Sequence, residues 1–391
     1  MKTIVIIVFI NVFFHSQYTT KAQQLEAIDI VEGMNEKGNL KLSDIADNIK
    51  YISLETGIEN LISDADNIKF TEEFIFVKNI NPFSLYVFNR SGKFIRQIGH
   101  KGHGPNEYNF LSGFCIQSQN NNVYLYSTSP SKLLVYNIDG IFLKKYDCPI
   151  FQSQPFFDME FFGPDKFIMM LSNYHGDTEF SYKVFSSTNE LIKKAIKPIQ
   201  FSTRGYFGNK FEFSYYTYNN RMYVKENLLN DTLYRVITTN EFQSTYIFKS
   251  GKYECPVALR QNFMDFAQKK ELKYILINKV FECKHYLLYS YSFNRKLYFD
   301  YYSKSQKKAF TFNSEGIPND YDGGSDFYPI YQKNNEMIGI ISSMDLIEKV
   351  FSEDFKNSTP KYPEKKKELE KLAKSLNDND NPVLMLVKLK E

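Results

Sequence analysis

Three carboxylates lie close together in "NDYDGGSDFYP" (319–329), the densest polar segment of the chain: Asp320, Asp322 and Asp326. Carboxylate oxygens are ligands that calcium prefers, and the two glycines between them would allow the necessary bend. The twelve-residue calcium loop pattern is absent, because no glutamate closes the segment. A plain turn, in which aspartate accepts hydrogen bonds from nearby backbone, explains the same residues. The sequence therefore leaves calcium and a turn as alternatives, and it suggests no other cofactor.

A glycine-rich segment, "FIRQIGHKGHGPNEY" (94–108), has the composition of a phosphate-binding loop. Such loops follow a strand and lead into a helix whose N-terminus faces the anion. Here the glycines lead into "NFLSGFCIQ", which has the pattern of another strand, and neither GxxxxGK[ST] nor GxGxxG occurs. We predict a turn between two sheets, from which His103 and Asn106 could contact a ligand.

Tyrosines supply a third kind of candidate binding residue. Tyr215 and Tyr216 in "FSYYTYNN", and Tyr328 at the end of the acidic segment, could stack on a sugar. Packing between sheets explains such tyrosines at least as well. Catalysis has less support, because HExxH does not occur and nothing marks a Ser–His pair. We predict no catalytic residue.

The N-terminus has the pattern of a secretory signal peptide over residues 1–22. Lys2 precedes a mostly apolar run, Ile4–Phe14, and Thr20 and Ala22 are small residues before the expected cut. The run is shorter than the roughly 20 residues of a membrane span. We expect a periplasmic or extracellular protein without an integral span, and no cysteine near the cut could carry a lipid anchor. The balance of 48 basic and 45 acidic residues argues against a nucleic-acid partner.

The chain repeats itself with a period typical of propeller blades. Residues 75–98 and 123–146 align without a gap at an offset of 48 positions, and weaker copies cover 166–196, 221–248 and 286–312. Each copy reads as three strands joined by turns, and the turns "NRSGK" and "NIDGI" suit hairpins. With one strand before each copy, the pattern predicts four-stranded units in series, which are typical of a β-propeller.

A sixth unit requires both ends of the chain. Residues 327–343 supply two strands, 382–390 a third and 50–55 the fourth. Pairing 50–55 with 382–390 would close the ring and remove its open edge. Apolar residues at helical spacing predict a helical insertion at about 343–378. The predicted fold is therefore all-β, a single six-bladed β-propeller of four-stranded blades over residues 23–391.

The sequence resembles a family of six-bladed β-propeller proteins that Bacteroidetes commonly export and that are related to NHL-repeat propellers. The segments that carry this resemblance span nearly the whole mature chain: "LSDIADNIKYISLET" (42–56), "KFIRQIGHKGHGPNEY" (93–108), "NDTLYRV" (230–236), the acidic segment (319–329) and "NDNPVLMLVKL" (379–389). The resemblance implies this fold and a periplasmic or surface location. Many members carry a lipid-anchor cysteine, which this sequence lacks. The family supplies no established reaction, so no catalytic residue carries over.

Two classes of function fit these observations. The first is a non-enzymatic module, expected to be monomeric, that presents a loop face to a glycan, a peptide or an exported partner protein. The second is a pore-centred enzyme on the same fold, such as a metal-dependent hydrolase, a calcium-dependent lactonase or a lyase. The fold alone does not choose between them. The missing catalytic signatures favour binding.

Overall fold

The computed structural model describes residues 25–148, 156–173, 175–202, 212–227, 230–238, 241–256, 272–312 and 314–391. The predicted signal peptide, residues 1–22, lies outside these ranges. No helix within them is long and apolar enough to cross a membrane.

The first ten strands contain two complete sheets. Their bounds are β1 (Glu26–Asp29), β2 (Ala46–Ser53), β3 (Ala65–Phe70), β4 (Phe74–Asn79), β5 (Ser84–Asn89), β6 (Phe94–Gln97), β7 (Phe110–Gln117), β8 (Asn122–Thr128), β9 (Lys132–Asn137) and β10 (Phe142–Asp147). Strands β3 to β6 form one four-stranded antiparallel sheet, and β7 to β10 form the next. The middle strands are almost entirely buried, which explains their near-continuous apolar sequences. The glycine-rich segment joins β6 to β7 and leads into a strand.

The next twelve strands repeat this arrangement. Their bounds are β11 (Phe156–Phe162), β12 (Lys166–Leu171), β13 (Tyr182–Ser186), β14 (Leu191–Ala195), β15 (Phe213–Tyr218), β16 (Arg221–Glu226), β17 (Thr232–Thr238), β18 (Glu241–Lys249), β19 (Leu276–Glu282), β20 (Tyr286–Phe293), β21 (Lys296–Ser303) and β22 (Lys308–Thr311). Strands β11 to β14 and β19 to β22 form two more separate four-stranded sheets. Strand β11 packs beside β7, and β19 packs beside β15. First strands of successive sheets are therefore neighbours, as in a propeller.

The remaining strands belong to a larger mixed sheet. They are β23 (Tyr331–Lys333), β24 (Glu336–Ile341) and β25 (Val383–Leu389). The nine strands of this sheet follow the order β1-β18-β17-β16-β15-β23-β24-β25-β2. A single parallel pair, Thr217 with Lys333, joins β15 to β23. The described residues thus confirm a mostly β, propeller-like fold with four-stranded sheets, but this nine-stranded sheet replaces the separate fourth and sixth blades of the prediction.

Short helices lie near both ends of the described chain. They are α1 (Ile30–Gly33), α2 (Leu42–Ile45), α3 (Ser343–Phe351), α4 (Glu353–Asn357) and α5 (Pro363–Ala373), with a 3-10 turn at Gly251–Tyr253. The Ser342 and Ser352 hydroxyls cap α3 and α4 by accepting backbone N–H groups. Leu346 of α3 and Leu369 of α5 are buried together with Val383 of β25. Helices α3 and α5, which follow β24 in the chain, therefore pack against the sheet at β24 and β25.

Residues 26–53, which we call the N-terminal strap, cross the outside of three groups of strands. Strand β1 pairs in parallel with β18. Thr311 of β22 exchanges backbone hydrogen bonds with Glu36 and Gly38, both 2.9 Å long. Strand β2 then pairs antiparallel with β25 along its whole length. The strap thereby connects three outer edges that the rest of the chain leaves separate.

Candidate functional site

The predicted ligand residues have separate environments. His103 and Asn106 are exposed in the loop between β6 and β7. Tyr215 and Tyr216 are buried in β15, and their hydroxyls donate to carboxylates of two different strands. Tyr328 is half-buried, with its hydroxyl 3.1 Å from that of Ser290. A shared role in ligand binding stays a prediction for these five residues.

The acidic segment forms a turn with many internal hydrogen bonds. Asp320 accepts hydrogen bonds from the backbone nitrogen and hydroxyl of Ser43, at 2.9 and 2.8 Å. The side-chain amide of Asn319 donates to Asp322 at 2.7 Å, and its backbone nitrogen donates to Asp326 at 3.2 Å. In the part of the chain that the structure describes, no three His, Cys, Asp or Glu side chains are grouped so that they could hold a metal ion. Calcium binding by these three aspartates stays a prediction.

Melting curves in chelator and in 10 mM calcium test the calcium hypothesis. An ion that binds only the folded state raises stability by about 2.7 kcal/mol at a hundred times its Kd. If the site exists, the melting temperature rises with calcium and Asp322→Asn removes much of the rise. Identical melting curves in the two solutions would leave these residues as a turn.

The centre of the molecule contains a fully buried lysine, Lys69 of β3. Its Nζ donates to the carbonyl of Phe114 in β7 at 2.9 Å and to that of Met159 in β11 at 2.6 Å. The same nitrogen lies 3.4 Å from Asp158 Oδ1 and 3.2 Å from Glu160 Oε2, both in β11. First strands of three sheets therefore meet at one ammonium group.

Two tyrosines from further first strands complete this arrangement. The Tyr215 hydroxyl donates to Asp158 Oδ2, which also accepts from Asn67 Nδ2 at 2.6 Å. The Tyr331 hydroxyl of β23 donates to Glu160 Oε2 at 3.3 Å. We call these five side chains the channel cluster: Lys69, Asp158, Glu160, Tyr215 and Tyr331. They link β3, β11, β15 and β23 across the centre of the fold.

The protonation states of the cluster follow from burial and charge. Burial by itself lowers the pKa of Lys69, but the charges of Asp158 and then Glu160 outweigh it and hold the pKa above its ordinary value. Burial, followed by the charge of Asp158, raises the pKa of Tyr215 well above its usual range. Burial and then Glu160 do the same to Tyr331. At neutral pH the cluster therefore contains a charged lysine and two neutral phenols that donate to carboxyl groups.

Sequence patterns did not single out Lys69, Asp158 or Glu160 as site residues, although one local signal marked the two acids. They are two positions apart in "FFDMEFF" (156–162), a strand otherwise made of Phe and Met. Side chains at this spacing point to the same face of a strand. Two acids on one face of a buried strand require a partner, since burial of an unpaired charge is costly. The same pattern does not predict which residue is that partner, which the structure shows to be Lys69.

A cavity of about 490 Å³ opens next to the channel cluster, and we call it the mouth pocket. Turns after β3, β7 and β23 line it with Phe70, Thr71, Glu72, Glu73, Ser118, Gln119, Asn121, Lys333, Asn334, Asn335 and Glu336. The Phe70 ring contacts the Tyr331 ring edge-on, with centroids 5.5 Å apart. Lys333 Nζ lies 3.3 Å from Ser118 Oγ and 3.5 Å from the Phe70 carbonyl. The channel cluster therefore adjoins the pocket through the contact between Phe70 and Tyr331.

Most residues that line the mouth pocket are polar or charged, and one of them, Glu336, is fixed by an ion pair. Arg90 donates to both carboxylate oxygens of Glu336 at 2.9 Å, and its guanidinium lies 5.0 Å from the centre of the Phe70 ring. Glu72 and Glu73 are exposed in the turn after β3. Carboxylates accept hydrogen bonds, and the four amide side chains both donate and accept them. This lining suits a ligand with many hydroxyl groups.

Comparisons with known proteins agree on the fold. A family model described as a domain of unknown function, DUF4934, matches residues 25–388. A crystal structure from Bacteroides fragilis, of a protein named as exported, is similar over 94% of this chain and 100% of its own, with 20% identity and a TM-score of 0.66. A DUF4221 family member from Bacteroides vulgatus is similar over 88% of this chain and 97% of its own, with 11% identity and a TM-score of 0.52. No curated protein matches the sequence significantly.

Proposed function

The chain belongs to the DUF4934 family of domains of unknown function, and we propose that it is an exported, non-enzymatic binding protein that holds a glycan in the mouth pocket. One observation carries this proposal: a cavity of ligand size, lined mostly by polar and charged residues, lies beside a buried cluster of paired side chains. Its volume of about 490 Å³ lies within the usual range for ligand pockets. A ligand would therefore be bound at the mouth and would not pass through.

A glycan suits the pocket better than a peptide or a partner protein. Glu72 and Glu73 can accept hydrogen bonds from sugar hydroxyls, and the amides of Gln119, Asn121 and Asn335 can both donate and accept. A peptide or a protein interface usually requires an apolar anchor. Phe70, the aromatic residue of the lining, is covered by Arg90 and is only 3% exposed.

The burial of Asp158 and Glu160, and the partners that they already have, support binding over pore-centred catalysis. A general acid or base must come within hydrogen-bond distance of its substrate. Asp158 and Glu160 are only 4% and 5% exposed. Both already interact with Lys69, and each accepts a hydrogen bond from a tyrosine.

We also propose that the ring has six blades and that the protein is exported. The single pair between Thr217 and Lys333 divides the nine-stranded sheet into β15–β18 with β1, and β23–β25 with β2. With the four separate sheets, this division gives six blades. Export rests on the leader-like residues 1–22, and the relation to NHL repeats rests on the sequence resemblance.

Glycan binding can be tested with a matched pair of double variants. We expect the purified protein to retain at least one oligosaccharide on a glycan array, and calorimetry with that sugar gives its Kd. Glu72→Gln with Glu73→Gln should weaken binding about tenfold, because a hydrogen bond to a charged group contributes about 1.5–3 kcal/mol. Glu353→Gln with Glu364→Gln, outside the pocket, is the control and should leave the Kd unchanged. An array without any bound sugar, or equal Kd values for both double variants, would refute the assignment.

A further inference from the structure

A second cavity, of about 390 Å³, lies between β2 and α5 and is separate from the mouth pocket. Ile49 of β2 and Leu369 and Leu372 of α5 contribute apolar walls. Tyr51 and Asp322 contribute polar groups. Its volume is within the range of small-ligand sites. The cavity thus combines an apolar wall with one buried acid.

The Asp322 carboxylate is bonded on one side only. The residue is 1% exposed, and its Oδ1 accepts from Tyr51 Oη at 3.2 Å, Asn319 Nδ2 at 2.7 Å and Gly324 N at 2.9 Å. These three hydrogen bonds from the described residues all end on Oδ1, and none of them ends on Oδ2. Because Asp322 lines the cavity, its carboxylate is the buried acid that a molecule in the cavity would meet.

Among the described residues, no basic side chain forms an ion pair with Asp322. The donors to its carboxylate are a phenol and two amide groups, all uncharged. The basic side chains at the cavity edge are engaged elsewhere: Lys50 donates to the Arg90 carbonyl at 3.1 Å, and Lys365 lies 2.8 Å from Glu368. Burial accordingly raises the pKa of Asp322. A cation in the cavity would remove this cost of burying a charge.

We propose that this cavity binds a primary ammonium group on a short aliphatic chain, with the ammonium on Oδ2 of Asp322. The chain would lie against Ile49, Leu369 and Leu372. An ammonium group has three donors, which this carboxylate and surrounding water can accept, whereas calcium takes six to eight oxygen ligands. Both a free alkylamine and the lysine side chain of a partner have this chemistry.

Calorimetry on the full chain with n-butylammonium chloride tests the proposal, with sodium chloride and n-butanol as controls for ionic strength and for the apolar chain. We expect n-butylammonium to bind and both controls to give no saturable heat. Asp322→Asn should weaken binding about tenfold or more, because the ammonium group then meets a neutral amide oxygen and loses its ion pair with the carboxylate. Glu364→Gln changes a charge on α5 outside the cavity lining and should have little effect.

Leu372→Phe provides an independent variant, because it fills the half-buried wall of the cavity and leaves the Asp322 turn unchanged. It should also weaken n-butylammonium binding, and far-ultraviolet circular dichroism verifies that both variants fold. Equal binding of n-butanol, no binding to the original protein, or undiminished binding to Leu372→Phe and Asp322→Asn would overturn the proposal. The peptide acetyl-Gly-Lys-Gly-amide separates the two sources: tighter binding than n-butylammonium assigns the site to a partner's lysine, and weaker binding assigns it to a free amine.

Discussion

Lys69→Met is expected to lower the free energy of unfolding by about 3–5 kcal/mol, the usual cost of removing one partner from a buried ion pair. Methionine retains most of the side-chain volume, so the loss is mainly electrostatic. Asp158 and Glu160 would remain buried without their cation, and the carbonyls of Phe114 and Met159 would lose their donor. Chemical denaturation followed by circular dichroism measures the change.

Two further variants separate charge from packing in this experiment. Lys333→Met removes a half-exposed lysine at the mouth of the same channel and should cost about 1 kcal/mol or less. Adding Asp158→Asn and Glu160→Gln to Lys69→Met removes the unpaired charges and should recover most of the lost stability. A change within about 1 kcal/mol for Lys69→Met alone would contradict the importance of the cluster.

The contribution of Lys69 also has a defined pH window. The pKa is raised in the folded state, so the stabilisation is fully present below the unfolded value of 10.5 and is lost as pH rises through the folded value. Around neutral pH Lys69 stays charged, so its titration should not change the difference in unfolding free energy between the original protein and Lys69→Met. Titration of Lys69 should shrink this difference in strongly alkaline solution.

Removal of residues 380–391 is expected to abolish the cooperative native fold. Strand β25 lies between β24 and β2, so its loss leaves β2 without a partner and β24 paired with β23 alone. Val383, Leu384 and Val387 are fully buried. Loss of each large buried side chain costs about 2–5 kcal/mol, and a typical domain has only about 5–15 kcal/mol in total.

Thermal melting of the truncated protein beside one that lacks only residues 390–391 measures this effect. The shorter deletion keeps β25 intact and should melt close to the full chain. The longer deletion should show no sharp transition and should expose apolar surface to a fluorescent dye. If it melts like the full chain, β25 does not hold the ends of the chain together.

Local sequence patterns predicted the individual sheets well. Residues 75–98 and 123–146 became the last three strands of the first two four-stranded sheets, because hairpin turns and apolar runs fix pairing between neighbours in the chain. The hairpin pattern held for β15 to β18 as well. The join between Thr217 and Lys333 left no such signal, since it rests on a single pair of distant residues.

The channel cluster was not predictable for a related reason. Its members come from four strands, and Lys69 and Tyr331 are separated by most of the chain. Spacing within "FFDMEFF" places Asp158 and Glu160 on one face but does not identify what faces them. The predicted tyrosine Tyr215 belongs to the cluster, yet its hydroxyl is used inside the fold.

The N-terminal strap makes the order of synthesis matter. Strand β2 is synthesised early, but its partner β25 is synthesised near the end. The same long separation applies to the hydrogen bond that the Lys390 ammonium donates to the Ser43 carbonyl, 347 positions earlier in the chain. Closing so long a loop costs little more than closing a moderate one, because the entropy grows only logarithmically with length. A chain that ends before residue 383 can form its local hairpins, but it has no β25 with which β2 could pair. A chain that ends before β25 therefore leaves the edge of β2 unpaired. An open strand edge of this kind is exposed to proteases and to pairing with other chains.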